Sequence, residues 1–116
     1  MIIYKTLDEI KKIKKANEII ARLFEDVLPK HVKAGVSTYE LDQIAEDYIR
    51  SQGAIPGTKG YDVGRPYPPY PAATCISVNE VVVHGIPSKK QNKVYSVDGA
   101  KKLEEITKDI IDILEK

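Results

Sequence analysis

Twenty residues in the middle of the chain, "AIPGTKGYDVGRPYPPYPAA" at 54–73, exclude one long regular element across that stretch. They hold five prolines, Pro56, Pro66, Pro68, Pro69 and Pro71, together with Gly57, Gly60 and Gly64. Proline lacks a backbone N–H and fixes φ, and glycine favours turns, so neither a helix nor a central strand can run through. The stretch reads as an extended, partly polyproline loop, with Tyr61, Tyr67 and Tyr70 interleaved. Its length exceeds that of an ordinary connection, which marks it as a functional loop or an altered one.

Ahead of this loop the pattern is helical. "TLDE" sets Thr6 three residues before Glu9, and "STYE" sets Ser37 three before Glu40, two capping boxes that each satisfy the first orphan N–H groups of a helix. Leu7, Ile10, Ile13, Ile20, Leu23, Phe24 and Val27 follow the first box at helical spacing, and Leu41, Ile44, Ala45, Tyr48 and Ile49 follow the second. Pro29 stops the first helix or tightens its last turn. Gly53 suits the left-handed position just past the second.

Behind the loop the pattern changes. "TCISV" (74–78) and "VVVHG" (81–85) are rich in β-branched residues and predict two strands turning at Asn79-Glu80; "VYSV" (94–97) predicts a third. Leu103, Ile106, Ile110, Ile113 and Leu114 then place one face on a helix over 100–114. The order α-α-loop-β-β-β-α predicts an α+β fold, with helices covering one face of a small antiparallel sheet of about three strands. A length of 116 residues predicts a single domain, 1–116.

With 18 basic against 17 acidic residues, the net charge is +1. That balance gives no electrostatic reason to expect nucleic acid or an anionic membrane as partner. Lys11, Lys12, Lys14 and Lys15 read as the solvated face of the first helix. The single cysteine, Cys75, excludes an internal disulfide and fits a reducing compartment, so a cytoplasmic location is expected. No apolar run is long enough for a membrane span.

Few residues can carry chemistry. His31, after Pro29, sits where a histidine meets the last carbonyls of a helix. His84 ends an apolar run next to Gly85, a placement that fits either a substrate hydrogen-bond donor or a structural histidine. Cys75 reads as a small buried hydrophobe with no local base to activate it. Asp98, between a strand pattern and a helical one, is either a metal ligand or an N-cap. No phosphate-cradling glycine loop, zinc-type cysteine pair or serine elbow is present.

"GVSTYELDQIAEDYI", "GAIPGTKGY", "TCISVNEVVVHGIP" and "VYSVD" resemble, in sequence and in order, the type I methionine aminopeptidases, over about residues 3–98. That resemblance implies a half of their pita-bread fold. It also implies a link to removal of initiator methionine at a dinuclear centre ligated by two Asp, one His and two Glu. By the resemblance, His84 matches the histidine that contacts the substrate peptide. Cys75 and Tyr61 match the methionine side-chain pocket, Asn79 a carbonyl near a monovalent cation, and Asp98 the first metal-binding aspartate.

The family pattern continues to a second metal aspartate about eleven residues on. Here helical spacing begins at once, and Asp109 falls inside it. The 60–75 loop is also longer and richer in proline than the family's. These departures lead to the expectation of a non-catalytic, engineered or reconstructed half-domain, with no cofactor, that folds alone or as a symmetric homodimer. Two alternatives stay open. One is an aminopeptidase whose Asp98 and His84 pairs converge across a homodimer on Co, Mn, Fe or Zn and act on short N-terminal Met peptides. The other is a binding module for short peptides.

Overall fold

The structure, a computed structural model, describes residues 1–89 together with Thr107, Lys108, Ile111 and Asp112. Helix α1 spans Leu7–Arg22 and helix α2 spans Thr38–Ser51. Both predicted capping boxes are formed. Thr6 N–H donates to Glu9 Oε2 at 2.7 Å, and Glu9 N–H donates back to Thr6 Oγ1 at 3.3 Å. Ser37 and Glu40 repeat the exchange at 2.8 and 3.1 Å. The backbone N–H donated by each capping residue holds Glu9 and Glu40 below the usual carboxylate pKa, with the capping hydroxyls adding to the effect.

Between the helices, α1 widens into a π-helical turn at Leu23–Val27 and tightens into a 3-10 turn at Leu28–Lys30, with Pro29 at its start. This is the tightening expected of a proline that can sit in a first helical turn but not in a helix interior. The widened turn directs Leu23 onto α2, where it packs with Ala45 and Ile49. Val27, Leu28, Tyr48 and Ala54 line the margin of this cluster. Gly53 takes the left-handed φ of 75° just past α2, as its position predicted.

The two helices are buried unequally. Leu41, Ala45 and Ile49 of α2 are buried, whereas no residue of α1 is. Ile10, Ile13 and Ile20 remain about half exposed, and Phe24, in the π-helical turn, is exposed. The stripe predicted to be the buried face of the first helix therefore faces outward over most of its length. α1 leans on α2 only through its C-terminal end.

The expected α+β arrangement, a half pita-bread with a three-stranded sheet, is not found among the described residues. The described residues contain two α-helices and no strand. Residues 74–78 and 81–85 do run side by side, but they share just two backbone hydrogen bonds, Ile76 N–H to Gly85 O at 2.9 Å and Val81 N–H to Val78 O at 3.2 Å, the second closing the turn between them. Asn79 and His84 both adopt positive φ, 57° and 55°. A strand needs extended φ throughout, so His84 takes the second predicted strand out of that conformation before its last residue, while Asn79 lies in the turn between the two segments. The predicted strand at 94–97 and Asp98 lie outside the described residues. Thr107, Lys108, Ile111 and Asp112 are helical, within the range where spacing predicted the last helix.

Candidate functional site

The arrangement of 74–89 is set by a row of polar residues on α2. Thr38, Asp42 and Glu46 recur every four residues, so they share one edge of the helix, and all three are buried. Each holds a different part of the following chain. Thr38 Oγ1 accepts from Ser88 N–H at 2.9 Å. Asp42 Oδ1 accepts from both Thr74 N–H, at 2.8 Å, and the Thr74 hydroxyl, at 2.6 Å. Glu46 accepts from Lys59 Nζ at 2.6 Å and Arg50 Nε at 2.9 Å. The Lys59 bond, followed by that of Arg50, keeps the Glu46 carboxyl below its usual range. No buried side-chain nitrogen or oxygen among the described residues lacks a partner.

These clamps bring the two extended segments together beneath Tyr70. Its hydroxyl donates to Thr74 O at 2.9 Å and lies 3.4 Å from Gly85 O. Burial raises the Tyr70 pKa, and the Cys75 thiol and Asp42 add to the effect. A phenol held in its neutral form remains a hydrogen-bond donor, which is the role it plays here. Ser77 Oγ accepts from Gly85 N–H at 3.1 Å. A Cβ on Gly85 would run into the Ile76 carbonyl, so only glycine allows this approach.

The structure thus places Cys75 and His84 on adjacent segments, each one residue from the paired Ile76 and Gly85. Both side chains are exposed; for Cys75 this reverses the expectation of a buried hydrophobe. Asn79 is at the first central position of the turn closed by Val81 N–H to Val78 O at 3.2 Å, a position where asparagine tolerates positive φ. Tyr61 is exposed and joins the group through its backbone, its carbonyl accepting from Tyr70 N–H at 2.9 Å. His31 is also exposed, beside a hollow lined by Lys33, Val36, Tyr39 and Ile44.

Among the described residues, no group of three or more His, Cys, Asp or Glu side chains converges as metal donors. The described donors by themselves do not fit a dinuclear centre. Tyr70, Asp42 and Ser77 are the positioning residues that the sequence reading passed over. The polar row at 38, 42 and 46, flanking an apolar stripe, was the available signal.

With this geometry in place, comparison with known proteins gives the affiliation. The sequence model of metallopeptidase family M24 matches residues 11–111, so the chain belongs to that family. Within it the chain is similar to methionine aminopeptidases. It is 48% identical over 105 residues to methionine aminopeptidase 1 of Bacillus subtilis strain 168, covering 87% of this chain and 40% of that protein. It is 41% identical over 102 residues to the methionine aminopeptidase of Clostridium acetobutylicum, covering 84% of this chain and 38% of the relative. For that of Aquifex aeolicus the identity is 43% over 94 residues, covering 78% and 36%. The chain spans about two fifths of the length of these relatives. No helix among the described residues is long and apolar enough to cross a membrane.

Proposed function

We propose that this polypeptide carries the substrate-facing wall of a methionine aminopeptidase-type peptidase and is non-catalytic by itself. The observation that supports it is the Tyr70 clamp. It joins the segments bearing Cys75 and His84, the positions matching the family's methionine pocket and substrate-contacting histidine. Two exposed side chains on neighbouring extended segments can contact a short peptide without supplying the metal-bound water that its hydrolysis requires. Asp98 is one carboxylate followed directly by helical spacing, and in this reading it caps that helix. The direct joint at 98–100 is what an engineered or reconstructed half-domain would show.

In the same reading the chain is one folding unit, works in a reducing compartment, and self-associates as a homodimer. The exposed Ile10, Ile13, Ile20 and Phe24 favour self-association, because an apolar face of this kind is covered in a stable assembly. The competing reading is a metal-dependent aminopeptidase with a site shared across that dimer, which membership in a metallopeptidase family favours. Purification with added Co²⁺ or Mn²⁺, metal analysis and an assay of methionine release from a Met-Ala peptide separate the two. The proposal expects substoichiometric metal and no release. Stoichiometric metal that disappears in Asp98→Ala, with release of methionine, establishes the enzyme instead.

A further inference from the structure

The face that α1 leaves uncovered is not a uniform apolar stripe. Ile10, Ile13, Asn17 and Ile20 follow one another at intervals of three, four and three residues, the alternation of a seam between two helices. Phe24 adds the next interval of four, in the π-helical turn. All five are exposed. Leu23 and Val27, which reach α2, lie on the neighbouring edge, so that packing leaves the seam open.

The surface along the seam is grooved. A hollow of about 420 Å³ is lined by Ile10, Ile13, Lys14, Asn17, Glu18 and Ala21. They make two overlapping sets spaced i, i+3, i+4 and i+7, one starting at Ile10 and one at Lys14. Four residues so spaced form the hole that takes a side chain from a facing helix.

We propose that this seam pairs with the same seam of a second copy, parallel and in register, with Asn17 meeting its own counterpart inside it. The inference rests on the self-association reading above and gives it a geometry. With Ile10 and Asn17 at heptad positions a, and Ile13 and Ile20 at d, Glu9 falls at g and Lys14 at the following e. A parallel pair sets each g against the next e of the other helix, so Glu9 faces Lys14 of the second copy on both sides. An antiparallel pair sets g against g, and the other g residues, Ala16 and Leu23, carry no charge. It also sets a against d, which leaves the Asn17 amide opposite isoleucine with no partner. Isoleucine at both a and d favours three or four strands, and a single asparagine at a restricts the number to two at a cost in affinity. α1 supplies little more than two heptads in its 16 residues, so the pair is weak and depends on concentration.

Sedimentation equilibrium of the full chain reads the association. Ile13→Asp is expected to raise the dimer Kd at least about tenfold, and Lys14→Glu about threefold at low salt and less at high salt. Asn17→Ile is expected to act in the opposite direction, tightening association roughly tenfold and adding trimers. Cross-linking reads the geometry, in a Cys75→Ser background with oxidised glutathione. Ile10→Cys and Ile20→Cys are each expected to link to their own counterparts, and Val82→Cys, exposed and outside α1, is not. Far-UV circular dichroism checks that every variant keeps its helices. A dimer that ignores Ile13→Asp and Asn17→Ile, or that fails to link at both Ile10 and Ile20, overturns this geometry and leaves self-association standing. A chain that stays monomeric to about 1 mM overturns both.

Discussion

Thr6–Glu9 and Ser37–Glu40 close the same reciprocal cap on two helices of similar length, 16 and 14 residues, yet those helices are held in different ways. α1 has the stronger-looking apolar stripe and buries none of it. α2 has a shorter stripe and buries six residues, three of them polar or charged. The difference lies in what each helix meets. α2 is reached by Leu23 from the preceding turn on one edge, and by Lys59, Thr74 and Ser88 from later in the chain on the other. Among the described residues α1 meets the C-terminal continuation of itself and, through it, the adjoining edge of α2. Amphipathicity therefore describes what a helix can bury; long-range partners decide what it does bury.

The largest test of this contrast is a pair of truncations. Leu23→Ala removes the side chain packed on Ala45 and Ile49 and is expected to cost about 2–4 kcal/mol in urea denaturation. Ile13→Ala, half exposed on α1, is expected to cost under about 1 kcal/mol by the same measurement. Both figures are for dilute solution, where the proposed homodimer is dissociated; the loss at Ile13 is expected to grow with protein concentration as that face is covered, with sedimentation at matched concentrations following the dimer.

Asp42→Ala is next, at about 2 kcal/mol, because the Thr74 amide and hydroxyl both lose their acceptor in a buried setting. Its local signature is faster hydrogen exchange at Thr74 and faster alkylation of Cys75. The counterpart on α1, Asp8→Ala, loses only an exposed contact to Lys11 at 3.8 Å and is expected to change stability by under about 0.5 kcal/mol.

The caps give a smaller effect and a sharper comparison. Ser37→Ala is expected to lower global stability by about 1 kcal/mol, because α2 is part of the packed unit. Thr6→Ala is expected to leave the global midpoint nearly unchanged and to speed exchange only in the first turn of α1. The smallest effect is a pH dependence. Glu46 has a folded pKa below its ordinary 4.5, so the unfolded chain takes up the proton more readily. Its stabilising contribution is complete above pH 4.5 and is lost as pH falls through the lower folded value. Glu46→Gln is expected to flatten that acid limb of the stability curve.

Much of the local structure is legible in the sequence. Thr6 with Glu9, Ser37 with Glu40, Pro29 and Gly53 act through neighbours within four residues, so spacing alone identified their roles. The irregular loop at 54–73 was legible for the same reason, whereas the strands read at 74–78 and 81–85 are not formed. The candidate site was legible only as a set of positions, through the likeness of "TCISVNEVVVHGIP" to a peptidase family. Nothing local could show that Tyr70 joins the two segments, because its second partner, Gly85, is brought to it by the fold.

The sequence by itself determined where helices begin, where they cannot continue, and which stretch must present proline to solvent. Only the tertiary structure decided which face of each helix is covered, that Thr38, Asp42 and Glu46 form a buried polar row, and that the β-branched runs stay extended without forming a sheet. Caps and turns are satisfied within a few bonds of the residues that encode them. Burial and strand pairing depend on partners more than ten residues away, which local spacing does not identify.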